Sequence, residues 1–283
     1  MAVSREKESL AKVLAHEGGY SNNKKDPGGP TMKGVTQRVY DAYRKGKGQA
    51  TRSVRSITTD ELNQIYDRQY WDAVKGDLLP DGVDYVLFDG AVNSGPGRSI
   101  MFLQQALRPV YTGNIDGVMG MGTITALKAI NNNDALIDRI CDARMNFLRH
   151  LGTFAVFGKG WSARVKEVRS IGKAWATGET PQAANFIEGG QAKALVQDAK
   201  TAPSTAPADA AIGAGGGGLG VSGTLQGLQE QLSPLSYASE WITKIVVVLA
   251  LVSALLLICG GAYRWWTNRK AKRLAEALGT VPA

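Results

Sequence analysis

The sequence predicts a mainly α-helical protein with one small hairpin or irregular loop and a single transmembrane helix near the C-terminus. Three observations carry this. Apolar residues recur at helical spacing through most of positions 1–178, turn-forming residues concentrate between Tyr20 and Gly34, and nineteen uncharged, mainly apolar residues run between Lys244 and Arg264.

The first helix is read from Leu10, Val13, Leu14 and Glu17, which share one helical side, with Gly18-Gly19 as a stop. A carboxylate thus falls at the end of an otherwise apolar face. The stretch YSNNKKDPGGPTMKG that follows is dense in Asn, Gly and Pro and predicts tight turns or a short hairpin. Thr36 then caps a short helix to about position 43, and Thr58 with Glu61 forms a capping-box pattern before ELNQIYDRQYWDAV. Further helices are expected over 85–93, 99–107, 123–130, 134–148 and 162–176. Between Thr201 and Gly223 the only charge is Asp209, and the low-complexity composition predicts a flexible linker over 179–240. As a free coil of about 60 residues it would reach about 40 to 50 Å.

The apolar run at 245–263 would span about 28 Å as a helix, close to the roughly 30 Å of a bilayer core. Trp241 precedes it, Trp265 and Trp266 follow it, and the distal flank carries Arg264, Arg269, Lys270, Lys272 and Arg273. The expectation is a transmembrane helix over 241–266 with a basic cytoplasmic tail over 267–283, and a front domain on the periplasmic side of an inner membrane. No N-terminal signal peptide is read, because Arg5, Glu6, Lys7, Glu8 and Lys12 interrupt the start of the chain.

Residues 1–178 hold 25 of the 33 basic and 18 of the 25 acidic residues, so +7 of the net +8 lies there. A basic front part suits an anionic polymer. No Arg/Lys stripe interleaves with aromatics, so nucleic acid is not expected as a partner. The cysteines Cys141 and Cys259 lie in different kinds of segment, so no disulfide framework is expected. His16 and His150, without CxxC or HExxH, predict neither a metal site nor a cofactor.

Cleaving a glycosidic bond requires a carboxylic acid that still holds its proton near neutral pH, normally a Glu in apolar surroundings. Glu17, one turn after Val13 and Leu14 and followed by glycines that let a substrate approach, is placed for that role. A second carboxylate, Asp26, lies nine residues on in the turn-rich loop, where it either assists catalysis or starts the turn at Pro27.

The motifs HEGGY (16–20), DPGGPTMKGVT (26–36), YWDAV (70–74) and LFDGAVNSGPGR (87–98) resemble the glycoside hydrolase family 108 muramidases, which include phage endolysins and lysozyme-like enzymes linked to secretion. The resemblance implies a lysozyme-like catalytic domain over 1–95 with Glu17 as the catalytic acid. FLQQAL (102–107) and IDGVMGMGTITAL (115–127) resemble the accompanying peptidoglycan-binding domain, expected over 96–178, with Met121 where that pattern more often has Pro. The likeness covers about three fifths of the chain, from Leu10 to Ala176.

The expected activity is hydrolysis of the β-1,4 bond between N-acetylmuramic acid and N-acetylglucosamine in peptidoglycan glycan strands, by a monomer tethered to the bilayer through 245–263. Glu17, Asp26 and Thr36 are the catalytic candidates, with Thr36 doubling as a helix cap. Tyr20, Thr31, Tyr70, Trp71, Asp89 and Asn93 are the substrate-binding candidates. The competing readings are a lytic transglycosylase, in which one Glu serves as acid and base, and a non-catalytic wall-binding membrane protein.

Overall fold

The computed structural model describes residues 5–22, 29–214 and 240–279. Two compact units are found, Met1–Lys200 with Ala277–Ala283, and Thr201–Glu276.

In the first unit the chain runs α1 (Glu6–His16), β1 (Tyr20–Ser21), β2 (Thr31–Met32), β3 (Val35–Thr36), α2 (Gln37–Gly46), α3 (Thr59–Tyr66), α4 (Val83–Ser94), α5 (Pro96–Ala106), α6 (Met121–Lys128), α7 (Asn133–Arg149) and α8 (Phe154–Ala176). The strands form one small antiparallel sheet in the order β1-β2-β3, with Tyr20 opposite Met32 and Thr31 opposite Thr36. Lys33 and Gly34 turn β2 into β3 with φ of 47° and 76°. Positive φ at both positions is what a tight two-residue hairpin with right-handed strand twist requires.

The expected capping box is present: the Thr58 hydroxyl accepts from the Glu61 N–H, and Glu61 accepts from the Thr58 N–H. Glu61 also takes Arg44, Arg52 and the Tyr40 hydroxyl at 2.6, 2.6 and 2.7 Å, which fastens α2 to α3. The expected single helix over ELNQIYDRQYWDAV breaks instead into α3, a π-helical turn Asp67–Trp71 and a 3-10 turn Asp72–Val74. The extra residue per turn rotates Trp71 inward, where only 2% of it is exposed.

The core is built around α4, all twelve residues of which are buried. Its sequence VDYVLFDGAVNS is apolar nearly all round, the pattern of a helix enclosed by others, here α1, α5, α7 and α8. The crossing of α4 and α8 is very close. A β-carbon at Gly172 would stand 2.6 Å from Val86, and one at Gly82 would stand 2.0 Å from the Gly172 carbonyl. α8 also begins eight residues before the expected position, because Phe154 and Phe157 stack on Trp161 and hold the Gly-containing first turns helical. The segment expected as a separate domain over 96–178 thus packs directly onto α4 within the same unit.

The second unit contains a helix over 206–214, α9, and most of a 39-residue helix, α10 (Glu240–Leu278). Among the described residues no helix is long and apolar enough to cross a membrane. Positions 245–247 and 250 of the expected span, and Trp241 before it, lie outside the described side chains, and most of the expected linker, 215–239, lies outside the described residues.

Asp84, in the first turn of α4, shows the effect of this burial on a carboxyl group. Burial pushes it up to about 7, while the Tyr85 N–H at 2.7 Å and the Arg5 guanidinium at 3.5 Å pull back. The folded protein therefore holds this proton over a range in which the unfolded chain, with an ordinary aspartate near about 4, has released it. Stability from this group is lost as pH rises from about 4 to 7. Asp84→Asn is expected to melt a few °C above the parent at pH 7.5, with the gap closing by pH 4 in thermal denaturation; a pH-independent gap would refute the assignment.

Candidate active site

Glu17 leaves the helix at the end of α1 with extended backbone angles, φ −79° and ψ 137°, and its N–H bonds back to Val13 at 3.3 Å. The Gly-Gly that follows ends the helix, so the side chain turns into the unit with 7% of the residue exposed. Val13 is buried behind it as expected, but the rest of its surroundings are polar. Arg164 Nη1 of α8 donates to Glu17 Oε1 at 3.2 Å, and Lys193 Nζ lies 3.5 Å from both carboxylate oxygens.

Arg164 is itself fixed by Asp89 of α4. Its Nη2 and Nε donate to Asp89 Oδ2 at 2.8 and 3.0 Å, and Nη1 also donates to the Gly190 carbonyl at 3.0 Å. Arg144 of α7 reaches Asp89 Oδ1 at 2.7 Å and Asn93 Oδ1 at 3.2 Å. All five groups are buried, forming one chain of charge-assisted bonds from Glu17 to Asn93. Burial alone would raise the Asp89 carboxyl, but the Arg164 and Arg144 guanidiniums outweigh it and hold the group well below the usual carboxylate range.

The hairpin tip closes the other side. Tyr66 of α3 donates its hydroxyl to the Lys33 carbonyl at 2.8 Å. A β-carbon on Gly34 would stand 2.6 Å from that hydroxyl and 2.8 Å from Glu17 Oε2. Tyr70 stacks 5.4 Å from Tyr66. Its hydroxyl is pushed up to about 12, by burial first and then by the Glu17 charge, so it remains a neutral hydrogen-bonding group.

The other expected residues are placed as follows. Asp26 lies outside the described residues. Thr36 caps α2, its hydroxyl accepting from the Val39 N–H at 3.4 Å. Thr31 on β2 donates to the Gly29 carbonyl at 3.0 Å, and Tyr20 on β1 carries the Arg55 guanidinium 4.1 Å above its ring. Trp71 is not a sugar platform but a core residue, its indole N–H on Asp77 at 3.0 Å and its ring edge-on to Phe88 at 5.4 Å. Asp89 and Asn93 face inward, with their polar atoms taken up by the two arginines and, for Asn93, by the Ala192 carbonyl. In this conformation they position Arg164 and Arg144 and present no surface to a sugar.

Arg144, Arg164, Tyr66, Gly34 and Lys193 escaped sequence reasoning. A signal existed for the two arginines. Arg144 lies four residues from Ile140 and from Leu148, and Arg164 lies three after Trp161 and four before Val168, so each breaks an apolar stripe where a charge needs a buried partner. Among the described residues no group of His, Cys, Asp and Glu could hold a metal ion.

The sequence model of the family described as Glycosyl hydrolase 108 matches residues 10–95, the span from α1 to the end of α4 that contains Glu17, Asp89 and Asn93. Among solved structures the chain is similar to that of Brucella abortus SagA, at 38% identity over 60% of this chain and 95% of that one, with a TM-score of 0.53. No curated protein matches. A helical fold that fixes a buried glutamate at a helix end, together with these matches, defines a glycoside hydrolase of the N-acetylmuramidase type. The chain belongs to glycosyl hydrolase family 108.

Gly34→Ala is expected to lower glycan cleavage by about tenfold or more and to destabilise the unit by about 1–3 kcal/mol, because the new methyl group must displace Glu17 or Tyr66 at a positive φ. Steady-state rates and melting of the purified variant check this; unchanged rates would show that the hairpin tip does not set the position of Glu17.

Proposed function

We propose that the chain hydrolyses the β-1,4 bond between N-acetylmuramic acid and N-acetylglucosamine in peptidoglycan, with Glu17 donating a proton to the leaving oxygen while tethered to an inner membrane. The observation that carries the catalytic part is the fixing of Glu17 by Arg164 and the Lys33-Gly34 turn, inside the span that matches the family. As the C1–O bond breaks, the leaving sugar takes the Glu17 proton and water adds to C1, giving up a proton to a carboxylate, Asp26 or the emptied Glu17, with Asp26 orienting that water or stabilising the developing positive charge. Tyr20, Tyr70, Thr31 and Thr36, on or beside the sheet and the π-helical turn, are the residues proposed to line the glycan path.

The tether rests on the apolar run at 245–263, its flanking tryptophans and the basic tail. Val248, Leu249, Leu251, Leu255 and Ile258 of α10 are each more than half exposed, which favours an apolar surrounding over water. Held this way, a monomeric enzyme stays close to the wall it cuts, an arrangement suited to timed bacterial lysis in a phage programme.

Purified full chain is expected to release reducing ends from peptidoglycan, and Glu17→Gln to reduce that rate by roughly a hundredfold or more while keeping the parent's helical circular dichroism, with a lower melting temperature because the buried Arg164 loses one of its two counter-charges. Hydrated products in the mass spectrum support hydrolysis; products one water lighter would assign a lytic transglycosylase instead. Unchanged activity in Glu17→Gln would remove this residue from the mechanism. Alkaline carbonate washing of membranes from cells expressing the full chain checks the tether, since a spanning chain stays in the pellet and a peripheral one appears in the supernatant.

A further inference from the structure

Beyond α8 the chain does not leave the first unit: it returns across the site and is fastened over Glu17. The Ala192 carbonyl accepts from the Asn93 amide at 2.8 Å and from the Trp161 indole at 2.7 Å, and the Ala194 N–H donates to the Asn93 carbonyl at 2.9 Å. Gly190 offers its carbonyl to Arg164, and Lys193 Nζ donates to the Val92 carbonyl at 2.9 Å besides meeting Glu17. A β-carbon at Gly160 would stand 2.5 Å from the Glu188 carbonyl oxygen, the Gly189 carbonyl carbon and the Gly190 nitrogen, so the segment lies flat on α8 because position 160 has no side chain. Ala194, within the segment, is fully buried.

A glycosidic oxygen must come within about 3 Å of the carboxyl group that protonates it. Here Oε1 is bonded by Arg164, Lys193 lies beside both oxygens, and the Glu17 side chain is 3% exposed. No sugar ring reaches the carboxylate while Lys193 is in place. The bonds of Arg164 to Asp89 and to Glu17, by contrast, involve no residue of the segment, which gives Arg164 only the Gly190 carbonyl. Lys193 is also the loosest of the Glu17 partners, at 3.5 Å and about a third exposed.

We propose that residues 187–195 are an occluding strap, with Lys193 as its plug, that holds this muramidase latent until the strap is lifted from α4 and α8. The proposal rests on Glu17 being the catalytic acid. It makes the segment a competitor of the glycan strand for access to Glu17, so that displacing the strap and admitting substrate are one equilibrium.

The test compares the full chain with its Gly160→Ala and Lys193→Ala variants. Ala at position 160 suits α8 and pushes the strap backbone away, whereas Lys193→Ala removes only the plug. Both are expected to raise the initial rate of turbidity loss of purified peptidoglycan by about tenfold. Carbodiimide labelling of Glu17, read by peptide mass spectrometry, is expected to be slow in the parent and fast in both variants, with faster amide exchange over 187–195 in Gly160→Ala. Rates and labelling equal to or below those of the parent, in variants that melt normally, would overturn the strap and mark Lys193 as part of the catalytic site. Fast labelling in the variants with no cleavage by any form would leave the occlusion standing and refute the muramidase reading instead.

Discussion

Arg164 has no access to water, and the site is organised around that fact. Stripping a guanidinium and a carboxylate of their hydration costs several kcal/mol per ion unless nearly every hydrogen-bonding direction is filled. The fold fills them: Asp89 takes two directions of the fork, Glu17 and the Gly190 carbonyl take the third, and Arg144 completes Asp89 from the opposite side. Such a network tolerates little displacement, since losing one partner leaves an uncompensated charge in the interior. Rigidity of Glu17 follows from it, although Glu17 itself closes only one helix.

This arrangement joins parts of the chain far apart in sequence. Glu17 comes from the C-cap of α1, Asp89 and Asn93 from α4, Arg144 from α7 and Arg164 from α8. The close crossing of α4 and α8 at Gly82 and Gly172 brings Arg164 to Asp89, and the π-helical turn after α3 sends Trp71 into the core while Tyr66 and Tyr70 face Glu17. A division at position 95 into catalytic and binding parts does not describe the machinery, because the two buried arginines that fix the acid lie beyond it.

The strap places the same carboxylate under a second constraint. Its anchors are backbone carbonyls and amides, which impose little on side-chain identity and leave no apolar periodicity in IEGGQAKALVQDAK. A low-complexity stretch and a packed strap look alike in composition when the strap is held mainly by its main chain. The run from Glu179 to Lys200 therefore reads as the beginning of a linker, yet the Lys200 N–H still bonds the His150 carbonyl at 2.9 Å.

By itself the sequence determined what depends on neighbours within one or two turns. Helical periodicity placed α1, α4, α5, α6 and α7 within a few residues of their observed bounds, the Thr58 and Glu61 pair fixed a helix start, and the Asn-Gly-Pro stretch marked the turn beside Glu17. Tertiary structure decided which charges are buried together. Whether Asp89 meets a sugar or a guanidinium depends on how α7 and α8 pack on α4, and a helix pattern specifies which face is inside but not what it will touch there. Burial then converts that choice into chemistry, because a charge shielded from water must be held by the partner the fold supplies.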